Sequence, residues 1–538
     1  MREIFDRRNF LRAAAVTAAG AAAACGRTPP GHTTAAPSSA ASSPSSPEAA
    51  ASAPGTAPSA TAASAPAAGA AAPAATGART APTAADWKAL GRGLTGRLIR
   101  PGDASYDAAR RLFNTSFDGV RPGAVAYCAD PGDVAECLAF ARRTGVPVTS
   151  RSGGHSYAGW STGTGLVIDV SRMSAVKAAG GRAVVGAGAQ LVDVYARLAA
   201  RGVSIPAGSC PTVGVAGLTL GGGLGVVSRK YGLTCDVLES VKIVTADGRL
   251  RTCDANHEPD LYWASRGGGG GNFGVAVSFT FRTHPTRDVT VFYLHWPWSR
   301  AAKVTAAWQA WAPHAPDALW STLHLSHDPA PDVLVAGLHL GPRAECERLL
   351  AAFAATAGAP SRRSVRQMPY MAAMLDLGGA GSRTVSQCHR RGNLPGQTPD
   401  GTFPRDSFRA KSHVAYRPLT STGIAALVAQ VGRGGRHTVL LDALGGAIGR
   451  QAPDATAFPH RAALFSVQYY AHTAGAATWV RGAHAAMAPH FGDHAYVNYI
   501  DPELKNWRQA YYGTNAARLA KVKAAYDPGR LFRFPQAV

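Results

Sequence analysis

The sequence predicts an α+β fold in two parts, a glycine-rich domain followed by a domain built on an antiparallel sheet covered by helices. Three observations carry the prediction. Apolar, β-rich runs at 240–245 and 249–253 flank Asp247-Gly248, a dipeptide whose second residue readily takes the positive φ of a tight hairpin. Glycine clusters follow strand-like runs between 151 and 274, which marks close backbone approaches rather than ordinary linkers. From about Pro285 the texture changes to tryptophan-rich segments and long helices, with strands recurring at 412–416, 439–442 and 463–470.

The first 25 of the 538 residues belong to transport. Arg7-Arg8-Asn-Phe10-Leu11 is a twin-arginine pattern, and the alanine-rich run 13–24 after it is too short to cross a bilayer. Cys25 ends that run and is a candidate lipid anchor, with plain cleavage nearby as the rival. Residues 26–85 are almost entirely Ala, Pro, Ser and Thr, which cannot bury enough apolar area to offset their ordering entropy; a disordered tether is expected. The formal charge of +22 admits nucleic acid as a partner, but no basic helix or aromatic-interleaved basic strip supports one. Attraction to anionic cell-envelope polymers fits an exported chain better. Eight scattered cysteines do not form a disulfide framework, and no C-x-x-C or H-x-x-x-H pair accompanies His155 or Cys210 to mark a metal site there.

Along the folded part, 86–114 reads as helical and 124–129 as a strand. Residues 131–144 form an amphipathic helix with Val134, Cys137, Leu138 and Ala141 on one face. Strands are expected at 146–149, 165–170, 183–187 and 275–282, and a helix at 190–200. A Rossmann fingerprint fails at its best candidate, Val184-Val-Gly186-Ala-Gly188-Ala-Gln-Leu191, because Leu191 stands where the third glycine belongs. Trp296, Trp298, Trp308, Trp311 and Trp320 are expected mostly in the core, with one or two available as a platform for a sugar or aromatic substrate.

Two stretches carry the chemistry. Arg151-Ser152-Gly153-Gly154-His155-Ser156-Tyr157 and Cys210-Pro-Thr-Val213-Gly214-Val-Ala-Gly217-Leu-Thr-Leu-Gly221-Gly222-Gly223 each set one nucleophilic side chain among glycines, whose backbone can wrap a phosphate or a flat ring. Singly, His155 reads as a structural histidine and Cys210 as a small buried residue. Together they point to a cofactor gripped from two sides.

The paired motifs resemble those of the berberine-bridge-enzyme-like flavoproteins, a branch of the vanillyl-alcohol-oxidase, PCMH-type FAD-binding group. Arg266 to Gly274, Tyr496-Val-Asn498-Tyr499-Ile-Asp501, Tyr511-Tyr-Gly513-Thr-Asn515 and Lys523-Ala-Ala-Tyr526-Asp527-Pro528 are similar to further segments of that family. The resemblance implies FAD held by Arg151 to Ser156, Cys210, Val213, Gly214, Gly217, Gly221, Gly222, Asn498 and Tyr499, and joined covalently to His155 and Cys210. It implies hydride transfer from an alcohol carbon, with Tyr496 as base, Asp442 as its proton-accepting neighbour, and Gln468 and Tyr157 on the substrate side. Val213 resembles the residue of the family's oxidases, so dioxygen is the expected acceptor. The expected organisation is 1–25 signal, 26–85 linker, 86–284 FAD-binding domain, 285–489 substrate domain, and 490–538 a C-terminal segment that completes the FAD domain. The expected protein is a monomeric, exported oxidase of a sugar or secondary metabolite; a dehydrogenase using another acceptor and a surface binding protein with a decayed flavin fold are the alternatives.

Overall fold

The computed structural model describes residues 81–472 and 475–538. The expected signal, Cys25 and nearly all of the expected linker lie outside the described residues. Three large sheets organise the fold. The first runs in the order Arg97–Ile99, Ala124–Tyr127, Leu166–Asp169, Val148–Arg151, antiparallel at its first pair and parallel at the others. Parallel strands need a crossover, and the helix Pro131–Thr144 carries the chain from Ala124–Tyr127 to Val148–Arg151, on either side of Leu166–Asp169. Its ends are chemically marked: the Asp130 side chain accepts from the Asp133 amide at 3.1 Å, Pro131 opens the helix, and Gly145 closes it at φ 72°. Val134, Cys137, Leu138 and Ala141 are all buried, the face that the periodicity predicts.

The second sheet is wholly antiparallel, in the order Val176–Ala179, Arg182–Gly186, Val275–Arg282, Leu238–Val244, Leu250–Cys253. The hairpin expected at Asp247-Gly248 joins its last two strands. Residues 86–114 are not one helix: helices Ala84–Gly93 and Tyr106–Arg110 flank the strand Arg97–Ile99. Sheet pairing overrides the helical pattern there, and Gly96 lies so close to Tyr127 that an added Cβ would come 2.0 Å from its carbonyl oxygen.

The third sheet has seven antiparallel strands in the order Arg362–Met368, Val289–Trp296, Pro331–His339, Leu319–His327, His437–Ala443, Phe465–Ala471, Arg409–Ala415. Helices Ala301–Trp311, Ser421–Gly432 and Ala476–Phe491 cover one face, where Trp308, Leu323, Leu427, Leu441, Val467 and Met487 form a continuous core. Because side chains alternate along a strand, the residues between these core positions face the other way, toward the glycine-rich motifs. Trp296 and Trp308 are buried, Trp298 and Trp311 pack against the same core, and Trp320 points to the opposite face.

The last stretch of chain docks on the glycine-rich turn 266–274. Tyr512 donates to the Gly268 carbonyl at 2.9 Å. Buried Lys523 donates to Asp527 at 2.7 Å and to the carbonyls of Asn272 and Phe532 at 2.6 Å each, so its charge is both paired and fully hydrogen-bonded.

Candidate active site

Register builds the histidine loop. Val148–Arg151 pairs in parallel with Leu166–Asp169, which sets Arg151 opposite Asp169. The Arg151 guanidinium forms a buried ion pair with that carboxylate and donates to the Ala109 carbonyl at 2.7 Å. Its side chain therefore braces the strand end from which the loop departs. Ser152 donates to the Ala187 carbonyl at 2.6 Å, and Ser156 accepts from the Trp160 amide at 3.1 Å. His155 stacks on Phe113, with ring centroids 4.1 Å apart and planes 18° from parallel, and its Nε2 lies 2.8 Å from Thr212 Oγ1.

The cysteine motif is clamped onto the start of the helix Leu191–Ala199 by three backbone hydrogen bonds. Leu191 donates to Val213, Val192 to Pro211 and Val215 to Ala189, at 3.0, 3.0 and 2.9 Å. The two motifs also interlock with each other: a Cβ on Gly153 would come 2.2 Å from the Gly214 amide nitrogen, and one on Gly214 equally close to that of Gly153. Among the seven described cysteines only Cys210 is not buried. It, Val213 and His155 line one cavity of about 660 Å³.

The opposite wall of that cavity is the open face of the seven-stranded sheet. Trp320, Thr322, His324, Asp442, Gln468 and Tyr470 project into it from three neighbouring strands. Gln468 is the hub. Its Nε2 donates to Asp442 Oδ2 at 3.0 Å, and its Oε1 accepts from Tyr157 at 3.2 Å and from Tyr470 at 2.9 Å. The Tyr157 and Tyr470 hydroxyls also meet each other, and the Tyr157 ring stacks on Tyr499 at 5.3 Å. Burial raises the Asp442 carboxyl above its ordinary value, while neighbouring Thr322, Gln468 and Ser466 pull the other way. Burial also pushes the His324 imidazole down to about 4, so it stands neutral on the wall.

Tyr496 occupies a different place from the one its sequence motif implies. Its ring is buried beside Gly222 and Gly223, and its hydroxyl oxygen accepts from the Gly223 amide and from Asn498 Nδ2, both at 2.8 Å. Asn498 Nδ2 also donates to the Leu218 carbonyl at 2.9 Å, and its Oδ1 fills the space that a Cβ on Gly221 would take. Burial raises the Tyr496 phenol, and the hydrogen-bonding partner of Asp442 is Gln468 instead of Tyr496. The tyrosine of this segment that faces the cavity is Tyr499. Residues 497–499 form a 3₁₀ turn, so the two-residue alternation of a strand does not apply. Thr212, Thr322, His324 and Tyr470 escaped the sequence reading; the alternation in Leu319-Trp-Ser-Thr-Leu-His-Leu carried the signal for two of them.

The glycine side of the cavity fits a flat dinucleotide. An added Cβ at Gly217 would meet nothing within 4 Å and would stand in the cavity, so bare backbone forms the wall there. Gly153, Gly154, Gly214 and residues 269–271 extend that surface.

The comparisons with known proteins agree. The FAD binding domain family matches residues 122–254, and the berberine and berberine-like family matches residues 495–538. The uncharacterized FAD-linked oxidoreductase YgaK of Bacillus subtilis is 34% identical over 461 residues, covering 83% of this chain and 97% of that protein. Chitooligosaccharide oxidase of Gibberella zeae is 29% identical over 447 residues, 78% of this chain and 87% of that one. The solved structure of Physcomitrella patens BBE-like 1 superposes with a TM-score of 0.77 at 30% identity, covering 84% of this chain and 98% of that one. The chain belongs to the berberine-bridge-enzyme-like FAD-linked oxidoreductases. It is an FAD-dependent enzyme with a small-molecule substrate.

Proposed function

We propose that the protein is an exported oxidase with FAD joined to both His155 and Cys210, oxidising an alcohol carbon of a sugar or a related polyhydroxylated metabolite. One observation carries the reading: an acid, an amide and two phenols, Asp442, Gln468, Tyr157 and Tyr470, form a single hydrogen-bonded network that joins the sheet wall to the histidine motif. FAD held against the glycine wall by Gly153, Gly154, Gly214 and Gly217 would supply a hydride acceptor and a route for the two electrons to dioxygen. The chain's own residues handle the proton. Asp442 takes it from the substrate hydroxyl, since a carboxylate whose affinity for protons is raised toward neutrality is a more effective base than an ordinary one. Gln468 fixes the orientation of that carboxylate, while Tyr157, Tyr470 and Tyr499 present hydroxyls to neighbouring oxygens of the substrate. The sheet wall offers carboxyl, amide, hydroxyl and neutral imidazole groups, a set that suits a neutral, hydroxyl-rich ligand. That a relative is named for oxidising an oligosaccharide supports the same class.

His155 and Cys210 suit covalent attachment because each stands on the cavity wall in a clamped motif. Acid precipitation tests this directly. The yellow colour is expected to stay with the protein pellet, and tryptic peptides containing His155 and Cys210 are each expected to carry the flavin mass. Colour that moves to the supernatant refutes the attachment. Screening mono- and oligosaccharides beside phenolic alcohols for peroxide release tests the substrate class; turnover confined to the phenolic set overturns it. Air reoxidation that lasts minutes points to another acceptor. Export rests on Arg7 and Arg8, with Cys25 as the candidate anchor. Retention of the wild-type protein in the cytoplasm of its host would refute it.

A further inference from the structure

We propose that Thr212 is the positioning residue that prepares His155 for attachment to the flavin, so that the cysteine motif controls the histidine linkage. The proposal rests on the covalent reading above and adds a residue to it. The His155 ring is held on its face and on its edge. Phe113 stacks against the face at 4.1 Å, and the backbone N–H of Phe113 donates to the Gly154 carbonyl at 3.1 Å, so the stack moves with the loop. At the edge, Nε2 lies 2.8 Å from the hydroxyl of Thr212, a residue only 3% exposed. Backbone contact at Gly153 and Gly214 locks the two motifs in register, which fixes the distance between His155 and Thr212.

Attachment through Nδ1 requires one tautomer. A neutral imidazole carries one proton, and the nitrogen that bears it is set by the hydrogen bonds the ring makes. We assign the Thr212 oxygen as acceptor of Nε2–H, which places the lone pair on Nδ1. Attachment then forms the bond from Nδ1 to the flavin 8α carbon and breaks one C–H bond of that methyl group. The proton goes to solvent, and the two electrons enter the isoalloxazine ring, from which dioxygen removes them as hydrogen peroxide. As Nδ1 gives up its lone pair the imidazole gains positive charge. The Thr212 oxygen, already accepting from Nε2, stabilises that charge through a bond that strengthens as the donor becomes cationic.

The test compares wild type with Thr212→Val, which keeps the shape and removes the hydroxyl, and Thr212→Ser, which restores it. Samples taken at successive times after induction are digested, and the flavin mass is followed separately on the His155 and Cys210 peptides. The rate at which the His155 peptide gains flavin is expected to fall roughly ten-fold in Thr212→Val, the scale of one lost hydrogen bond. It is expected to recover in Thr212→Ser, with the Cys210 peptide labelled normally in all three. Normal labelling of Cys210 also reports that the valine variant folds. Equal rates at His155 in wild type and Thr212→Val overturn the role of Thr212 while leaving the covalent reading intact. A bare His155 peptide in wild type overturns both. Parallel loss at His155 and Cys210, unrelieved by serine, identifies a general structural defect and overturns the proposal.

Discussion

Asp442 shows how a single side chain is placed between stability and function. It lies in a cross-strand row with Thr322 on one neighbour and Ser466 on the other, in the middle of a sheet, where burial raises its pKa above the ordinary 3.8. A carboxyl with a raised folded pKa binds its proton more tightly in the native state, so the contribution of Asp442 to folding stability is greatest below 3.8 and is lost as pH rises through the folded value. At neutral pH the charge is a cost to the fold that its chemistry offsets. Asp442→Asn is therefore expected to melt no lower than wild type at pH 7 and to keep its flavin, yet to lose roughly 10² or more in kcat/KM. In wild type, kcat/KM is expected to rise with pH through an apparent pKa above 3.8. Full turnover in the asparagine variant would remove Asp442 from the mechanism. Asp442, Gln468 and Tyr157 meet at one cavity, a grouping that the family resemblance implied and that the legible strands around the first two made plausible. Tyr496, which the resemblance implies as the partner of Asp442, lies elsewhere because its segment turns as a 3₁₀ helix, and a one-residue change of phase there exchanges a buried tyrosine for one that faces the cavity.

At the scale of elements, the two glycine motifs contain glycines of different kinds. Gly214 is pressed against Gly153 with no space for a methyl group, whereas Gly217 sits inside the helix Val215–Leu220 with open space beside it. Gly214→Ala is expected to destabilise the protein by about 3 kcal/mol, since the group it meets is backbone and cannot rotate away. Gly217→Ala is expected to fold at least as well as wild type, because alanine is favoured over glycine in a helix by roughly 0.5–1 kcal/mol. Its methyl group would stand in the cavity, and bound flavin should fall. Thermal unfolding together with flavin absorbance distinguishes the two, and loss of flavin from neither variant would show that the glycine wall does not hold the ring. Elements with a strong local signal were legible in advance: the capped helix Pro131–Thr144 and the hairpin at Asp247-Gly248 stand as expected. The strand Val289–Trp296 was not legible, because all eight residues are buried and no alternation distinguishes a doubly covered strand from a buried helix.

Across the described residues, a set of histidines is buried without charge, and the protein is expected to be sensitive to acid as a result. Burial lowers His284 and His324 to about 4 and His460 to about 3, and it also lowers His339, His413, His437 and His484. Each takes up a proton near 6.5 in the unfolded chain but resists it in the folded one. The unfolded state therefore binds more protons, and stability rises with pH across that window: it is fully present above about 6.5 and is lost as pH falls toward 4. By pH 5 each of the first three has given up about 2 kcal/mol, so together they remove about 6 kcal/mol, a large share of the 5–15 kcal/mol of a typical native state. Carboxylates come into play lower down. Arg481, together with Lys411, holds Glu503 at about 2, and this contribution is lost only below about 4.5. His389, raised overall by Asp193 against the effect of its burial, works in the opposite direction but stands alone among the shifted histidines. The expected outcome is a melting temperature nearly constant from pH 8 to 7 that falls steeply between pH 6.5 and 5. His460→Gln, which removes one such group from a site beside Tyr416, is expected to make the slope shallower even if it lowers stability at pH 8. A melting temperature that does not change between pH 7 and 5 would mean that these imidazoles take up protons within the folded state, and that the interior around them is far wetter than its packing indicates.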